Sequence, residues 1–212
     1  MITVKTFVFN PFEENTYLLY DNTNECIVID PGCYSDEEKE ELISFIGESK
    51  LTPVKLFNTH CHVDHVIGNS YLCELYKIKT GAHKLDNPLL NGAAEHGKVL
   101  GFEIEQPPPI NVFLQDNEII KFGNSRLKVI HVPGHSPGSI VFYGEEQKFV
   151  IAGDVLFNGS IGRTDLPGGD YEILIKNITN KLLVLGDDVV VYSGHGPVTT
   201  IGNEKRTNPY LN

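Results

Sequence analysis

A chain of 212 residues, 41% of them hydrophobic, can bury a sizeable core in one domain, and no low-complexity linker divides residues 1–212. With 17 Lys and Arg against 28 Asp and Glu, the formal charge of −11 argues against a nucleic-acid surface and favours a small-molecule partner. No stretch is long and apolar enough to span a membrane.

The amino terminus, Met1 to Phe9, alternates like a strand over residues 2–9 and lacks the apolar core and cleavage site of a signal peptide. Further strands are expected at residues 15–20 and 26–30. The second of these ends Ile27-Val28-Ile29-Asp30-Pro31-Gly32, where Asp30 reads on its own as a turn residue ahead of Pro31. A polar-faced helix at about 36–49 starts after Ser35 as N-cap. Cys26, Cys33, Cys61 and Cys73 form no C-x-x-C pair and sit mostly among apolar neighbours, the pattern of reduced thiols, so a cytoplasmic location is expected.

A strand over Pro53 to Thr59 then runs into His60-Cys61-His62-Val63-Asp64-His65, which holds three of the eight histidines. Imidazole and carboxylate are ligands of borderline divalent ions such as zinc. Alternation along an extended backbone turns His60 and His62 to one side and Cys61 away. Val66, Ile67, Tyr71, Leu72, Leu75 and Tyr76 recur with helical spacing, predicting a helix at about 66–77. Asp64 and His65 therefore sit at a strand-to-helix turn, where adjacent residues diverge and can reach a second ion. From Leu85 to Pro109 the pattern is weak and ends in three prolines, so an irregular excursion is expected, with the nearby His83 and His96 structural.

The second half predicts strands at about 110–114, 118–122, 126–131, 138–144 and 147–152, then a helix at about 170–184. Three strand ends there offer ligands. His135 follows a Pro-Gly turn, whereas His131, still within its strand, is expected to make a strand-end hydrogen bond. Asp154 ends the apolar run Phe149-Val150-Ile151-Ala152-Gly153, a costly place for a carboxylate unless it meets a cation or several donors; a turn or N-cap role is the alternative. His195 lies between glycines after the strand-like Val189 to Ser193.

With His60, His62, Asp64, His65, His135, Asp154 and His195 in place, the chain resembles the metallo-β-lactamase superfamily, whose signature is H-x-H-x-D-H followed by a distant His, Asp and His. Gly153 to Gly169, Ser193-Gly194-His195-Gly196-Pro197 and the ending Lys205 to Leu211 are similar to the short bacterial branch of glyoxalase II-like hydrolases, which lack a carboxy-terminal helical domain. The resemblance implies an α/β fold, a four-layer αββα sandwich with metals along one edge. It implies two divalent ions, zinc first, with iron or manganese also suited to these donors. His60, His62 and His135 would hold one ion, Asp64, His65 and His195 the other, and Asp154 would bridge them; Asp64 is read as catalytic as well.

A bridging hydroxide, its pKa lowered from about 15.7 towards about 7, would then attack a thioester such as S-lactoylglutathione. Two divalent ions against Asp64, Asp154 and hydroxide leave about one net positive charge, which suits a small anionic thioester. Asp30 is expected to support the ligands from behind. Arg163 aligns with the basic residue that contacts glutathione in the family and is expected to bind substrate, with an ion pair to Asp165 as the alternative. In this chain Thr164 and Asp165 replace the aromatic residue that follows that position in full-length enzymes. The persulfide dioxygenase branch shares H-x-H-x-D-H and Gly-Arg-Thr-Asp but uses one iron, and the complete second ligand set, above all His195, argues against it. A non-catalytic metal-binding protein is a third reading, which the intact ligand set disfavours.

Overall fold

A computed structural model describes residues 1–211, and in it two six-stranded sheets face one another with helices on both outer sides. The first sheet is ordered β1 (Thr3–Phe9), β2 (Glu14–Tyr20), β3 (Glu25–Ile29), β4 (Thr52–Phe57), β5 (Thr80–Ala82) and β6 (Val112–Phe113). It is antiparallel as far as β3 and parallel from there. Parallel pairs need crossovers. Here α1 (Asp36–Glu48) joins β3 to β4, α2 (Val63–Val66) and α3 (Asn69–Tyr76) join β4 to β5, and α4 (Asn87–Asn91) and α5 (Ala93–Val99) join β5 to β6.

The second sheet begins as an antiparallel meander of β7 (Ile119–Phe122), β8 (Ser125–His131), β9 (Ile140–Gly144) and β10 (Phe149–Gly153). A short ribbon, β11 (Leu156–Phe157) with β12 (Ser160–Ile161), and helix α6 (Tyr171–Asn177), prolonged by a π-turn over Ile178–Leu182, lead to β13 (Val190–Ser193). That strand lies parallel to β10, then β14 (Thr199–Thr200) and α7 (Ile201–Thr207) close the chain.

Alternation assigns every layer. In β3, Ile27 and Ile29 face the space between the sheets while Cys26 and Val28 face α1, and all four are fully buried. In β10, Phe149 and Ile151 point inward and Val150 and Ala152 pack against α6. A strand covered on both faces has no polar side, which explains its unbroken apolar sequence. Each fully buried Ile, Leu or Phe contributes about 1.5–3 kcal/mol. Helix α1 starts as expected, with Ser35 and Glu38 forming a reciprocal capping box.

Two expectations change. The helix expected at 66–77 starts earlier, at Val63, and breaks at Ile67-Gly68, where the Gly68 amide leaves the helix to donate to Pro31 O at 2.8 Å. A Cβ on Gly68 would lie 2.6 Å from Cys33 Sγ, so tertiary packing sets the break. The segment from Leu85 to Pro109 is helical in its first part, through α4 and α5, and irregular from Phe102 onward, with Pro88 in the first turn of α4 where its missing N–H costs nothing.

Asp21 joins the turn after β2 to the turn before β8. Its carboxylate accepts from Thr23 N and Oγ1 at 2.9 and 2.6 Å, Asn124 N at 2.8 Å and Ser125 Oγ at 2.7 Å. Burial alone would raise its pKa, but these donors hold it at about 2, below the usual 3.8. A depressed folded-state pKa contributes stability above pH 3.8 that is lost as pH falls towards 2. Asp21→Asn should cost about 1.5–3 kcal/mol at pH 7 and clearly less at about pH 3, measured as urea midpoints of the metal-free protein. An equal cost at both pH values would show that the charge is irrelevant.

Candidate metal centre

The strand ends at one edge of the sandwich bring the predicted ligands together. His60 and His62 lie on the extended loop beyond β4, and Asp64 and His65 lie in the first turns of α2. His135 comes from the β8–β9 turn, Asp154 follows β10 and His195 follows β13. Cys61 points the other way, buried with Val66, Ala82, Leu90 and Ile110.

Hydrogen bonds fix which ring nitrogens are free. His135 Nδ1 lies 2.8 Å from the carbonyl of Arg163, and a carbonyl only accepts, so Nδ1 carries the proton and Nε2 the lone pair. His195 Nδ1 likewise donates to Phe12 O at 2.9 Å, which turns Nε2 to the cluster. His60 Nδ1 is 3.1 Å from Thr59 Oγ1, whose own proton goes to Asp30 Oδ2 at 2.6 Å, leaving His60 Nε2 unprotonated. Yet His135 Nε2 is 3.2 Å from His60 Nε2 and 2.9 Å from His62 Nδ1. The Nε2 lone pairs of His135 and His60 repel at that distance unless a cation lies between them. Burial, reinforced by neighbouring imidazoles, holds the His60 pKa well below 6.5 and puts that of His62 at about 3, so both are neutral donors at pH 7.

A second group, Asp64, His65 and His195, adjoins the first. His195 Nε2 is 3.2 Å from Asp64 Oδ2, and His65 Nε2 is 3.6 Å from the same oxygen. Asp154 reaches both groups: Oδ1 lies 3.3 Å from His65 Nε2, while Oδ2 lies 3.6 Å from His195 Nε2 and 3.7 Å from His135 Nε2. Burial opposes ionisation of Asp64 and Asp154, but the charge of His65 prevails and holds both below the usual carboxylate range. Both nitrogens of His65 and Oδ1 of Asp154 are buried without a hydrogen-bond partner. Each such orphan costs about 1–3 kcal/mol. Divalent cations would satisfy these atoms and the converging lone pairs, so the donor set fits two ions.

Asp30 stands behind this cluster. Its backbone is left-handed at φ 50°, and its carboxylate accepts from Thr59 N at 2.7 Å and Thr59 Oγ1 at 2.6 Å, with Oδ2 3.2 Å from His65 Nδ1. The chain is also bare where the site is tightest: a Cβ on Gly194 would lie 2.1 Å from Asp154 Oδ1 and 2.8 Å from His65 Cε1.

The model of the metallo-beta-lactamase superfamily matches residues 9–195. The chain belongs to that superfamily. A hydroxyacylglutathione hydrolase of Haemophilus influenzae is 41% identical over 203 residues, 95% of this chain and 94% of the relative. Among solved structures, BLEG-1 B3 metallo-beta-lactamase superposes with a TM-score of 0.90 at 36% identity, covering 100% of this chain and 99% of the other. TTHA1623, solved in a di-iron-bound form, gives 0.89 at 38%, covering 98% and 100%. ETHE1 from Myxococcus xanthus gives 0.79 at 27%, covering 98% and 83%. The α/β, four-layer αββα architecture is that of metallo-beta-lactamase proteins.

In this superfamily member the cluster opens into a cleft of about 330 Å³, whose lining joins the apolar Phe12, Val63, Leu100 and Leu166 to Arg163 and side chains of the cluster. Arg163 makes the ion pair of the alternative reading: its exposed guanidinium pairs with Asp165 through two hydrogen bonds, at 2.8 and 2.7 Å, and the residue also lines the cleft. Its backbone carbonyl orients His135 as well. His131 stays outside the cluster, with Nε2 2.9 Å from Pro137 O and its ring stacked on His83. His96, expected to be structural, instead lines the cleft from α5.

Glu14 is the site residue the sequence conceals. It is fully buried, and Oε1 lies 3.8 Å from His65 Nδ1 without a hydrogen-bond partner. Burial raises its pKa well above 4.5. Thr16 Oγ1 is 2.7 Å from Glu14 Oε2 and 2.9 Å from Asp30 O, and one hydroxyl proton cannot serve both. A protonated Glu14 carboxyl would supply the second proton.

Proposed function

We propose that the protein is a dinuclear metal-dependent hydrolase that cleaves small anionic thioesters of the hydroxyacylglutathione type. The observation that carries this reading is the pair of adjoining donor groups reached by one carboxylate, Asp154. The name and 41% identity of the Haemophilus influenzae relative support the thioester class. Two divalent ions, zinc first with iron or manganese as alternatives, would supply Lewis acidity that acidifies water and offsets oxyanion charge.

The chain's own residues set the conditions for that chemistry. His60, His62 and His135 turn ring nitrogens to one point, with burial holding the first two below the usual imidazole range, and Asp64 and Asp154 bring negative charge that two cations require. The imidazole of His195, held by Phe12 O, places Nε2 3.2 Å from Asp64 Oδ2 at the cleft. Phe12, Leu100 and Leu166 add apolar surface to the cleft. Arg163 exchanges Asp165 for a substrate carboxylate at the mouth, trading one bidentate pair for another. The absence among described residues of a helix long and apolar enough to cross a membrane is compatible with the proposed cytoplasmic setting.

The likeness to ETHE1 favours a second reading, a one-iron, oxygen-consuming enzyme. Metal content per chain, S-lactoylglutathione hydrolysis and oxygen uptake with glutathione persulfide, measured on one preparation, separate the two. About two metals with thioester cleavage is expected. One iron with oxygen uptake and no cleavage would overturn the proposal. Arg163→Ala should raise KM for acidic thioesters about tenfold or more while leaving neutral ones nearly unchanged. Equal effects on both would remove Arg163 from substrate recognition.

A further inference from the structure

Asp86 is a buried carboxylate that the proposed chemistry does not use. It sits after β5 at the end of a 3-10 turn over Lys84–Asp86, with no exposed surface. Its oxygens accept three hydrogen bonds from two different loops. Oδ2 takes Cys61 N at 3.0 Å and Ser136 Oγ at 2.8 Å, and Oδ1 takes Gly138 N at 2.6 Å. Cys61 is the residue between His60 and His62, and Ser136 is the residue after His135. One side chain therefore ties together the two loops that supply the all-histidine group, while the hydrogen bonds it makes reach nothing in the group of Asp64, His65 and His195.

The surroundings are built for that contact. A Cβ on Gly138 would lie 2.6 Å from Asp86 Oδ1 and 2.8 Å from Asp86 N, so the turn after His135 approaches the carboxylate as only glycine allows. Ser136 is locked in turn, with Oγ 2.8 Å from Ser139 Oγ and its amide donating to that same oxygen at 3.1 Å. Burying a carboxylate is costly, and three donors from one small volume are what offset the cost. A neutral side chain of the same shape could not accept all three.

We infer that Asp86 is the positioning residue of the His60/His62/His135 group, setting the separation of its two loops and hence the affinity of that metal position alone. The inference rests on reading the cluster as a metal centre. Groups that hold ligand-bearing segments typically govern about 10- to 100-fold in metal affinity. Asp86→Asn keeps the volume but turns one oxygen into an amide nitrogen facing a donor.

The test is cobalt(II) titration followed by visible absorption, in two backgrounds that each leave one group intact. In His195→Ala protein, where the all-histidine group remains, adding Asp86→Asn should weaken cobalt binding about 10- to 100-fold. In His135→Ala protein, where Asp64, His65 and His195 remain, the same change should leave affinity within about threefold. Equal losses in both backgrounds would mean that Asp86 supports only the fold, and no loss in the first would refute the role outright. Should Asp86→Asn fail to fold, Ser136→Ala, which removes one of the three bonds, decides the matter: a loss confined to the His195→Ala background supports the inference, and any other pattern overturns it. Wild-type protein that takes up two cobalt ions while Asp86→Asn has no effect removes this inference alone; wild-type protein that takes up none removes the metal centre and the inference with it.

Discussion

Asp154→Asn is expected to lower thioester hydrolysis by about a thousandfold or more, equivalent to about 4 kcal/mol of barrier, and to leave the purified protein with less than about one metal ion per chain. Among the described residues, the carboxylate is the one side chain with oxygens facing His65, His195 and His135 together. Asparagine fills the same volume, offers one oxygen instead of two and carries no charge. Two cations would then face each other with only Asp64 to offset them, a repulsion that grows in a buried, low-dielectric site.

The metal-free proteins should differ as well. Without cations, Asp154 faces His65, with Oδ1 3.3 Å from Nε2; burial opposes its ionisation, but the charge of His65 prevails and holds its carboxyl below the usual range. Metal-free Asp154→Asn should therefore be less stable than metal-free wild type at pH 7. Metal analysis and thermal unfolding with and without chelator check both halves. Chelation should lower the melting temperature of the wild type and barely move that of the variant. Retention of two metals and a tenth or more of the activity would contradict the bridging role.

The ligand positions were legible because each lies at a strand end marked by local chemistry: a histidine run after an apolar strand, Pro-Gly before His135, Gly-Asp after β10, and glycines around His195. The same strands alternate clearly enough to assign the layers. What escaped has physical reasons. Glu14 opens β2 as Glu-Asn-Thr, which reads as an ordinary polar strand start, and its burial arises only when β2 docks against the loops after β3 and β13. Helices α4 and α5, of 5 and 7 residues, are too short to display a period, so His96 looked like part of an irregular loop. The break at Gly68 comes from contact with Pro31 and Cys33, which no local window contains. For Arg163 the sequence left two roles open, and the structure shows the Asp165 pair on a residue that also lines the cleft.

His195→Ala is expected to reduce metal content from about two ions to about one, and hydrolysis by about a hundredfold or more, with the remaining ion on His60, His62 and His135. The change removes one donor of the second group but leaves Asp154 and the whole first group in place, so loss should be confined to one position. His195 also occupies an unusual place among the ligands. Its side chain is 25% exposed and lines the cleft, whereas His65 is wholly buried. Small neighbours, Gly194 and Gly196, leave open the space that the missing ring would vacate. Added imidazole should therefore enter that space and restore part of both metal loading and hydrolysis in His195→Ala, while the same treatment of His65→Ala should restore neither, because no path reaches a fully enclosed ring. Unchanged two-metal loading in His195→Ala would reject its role as a ligand, and it would also remove the feature that best separates this chain from one-iron relatives.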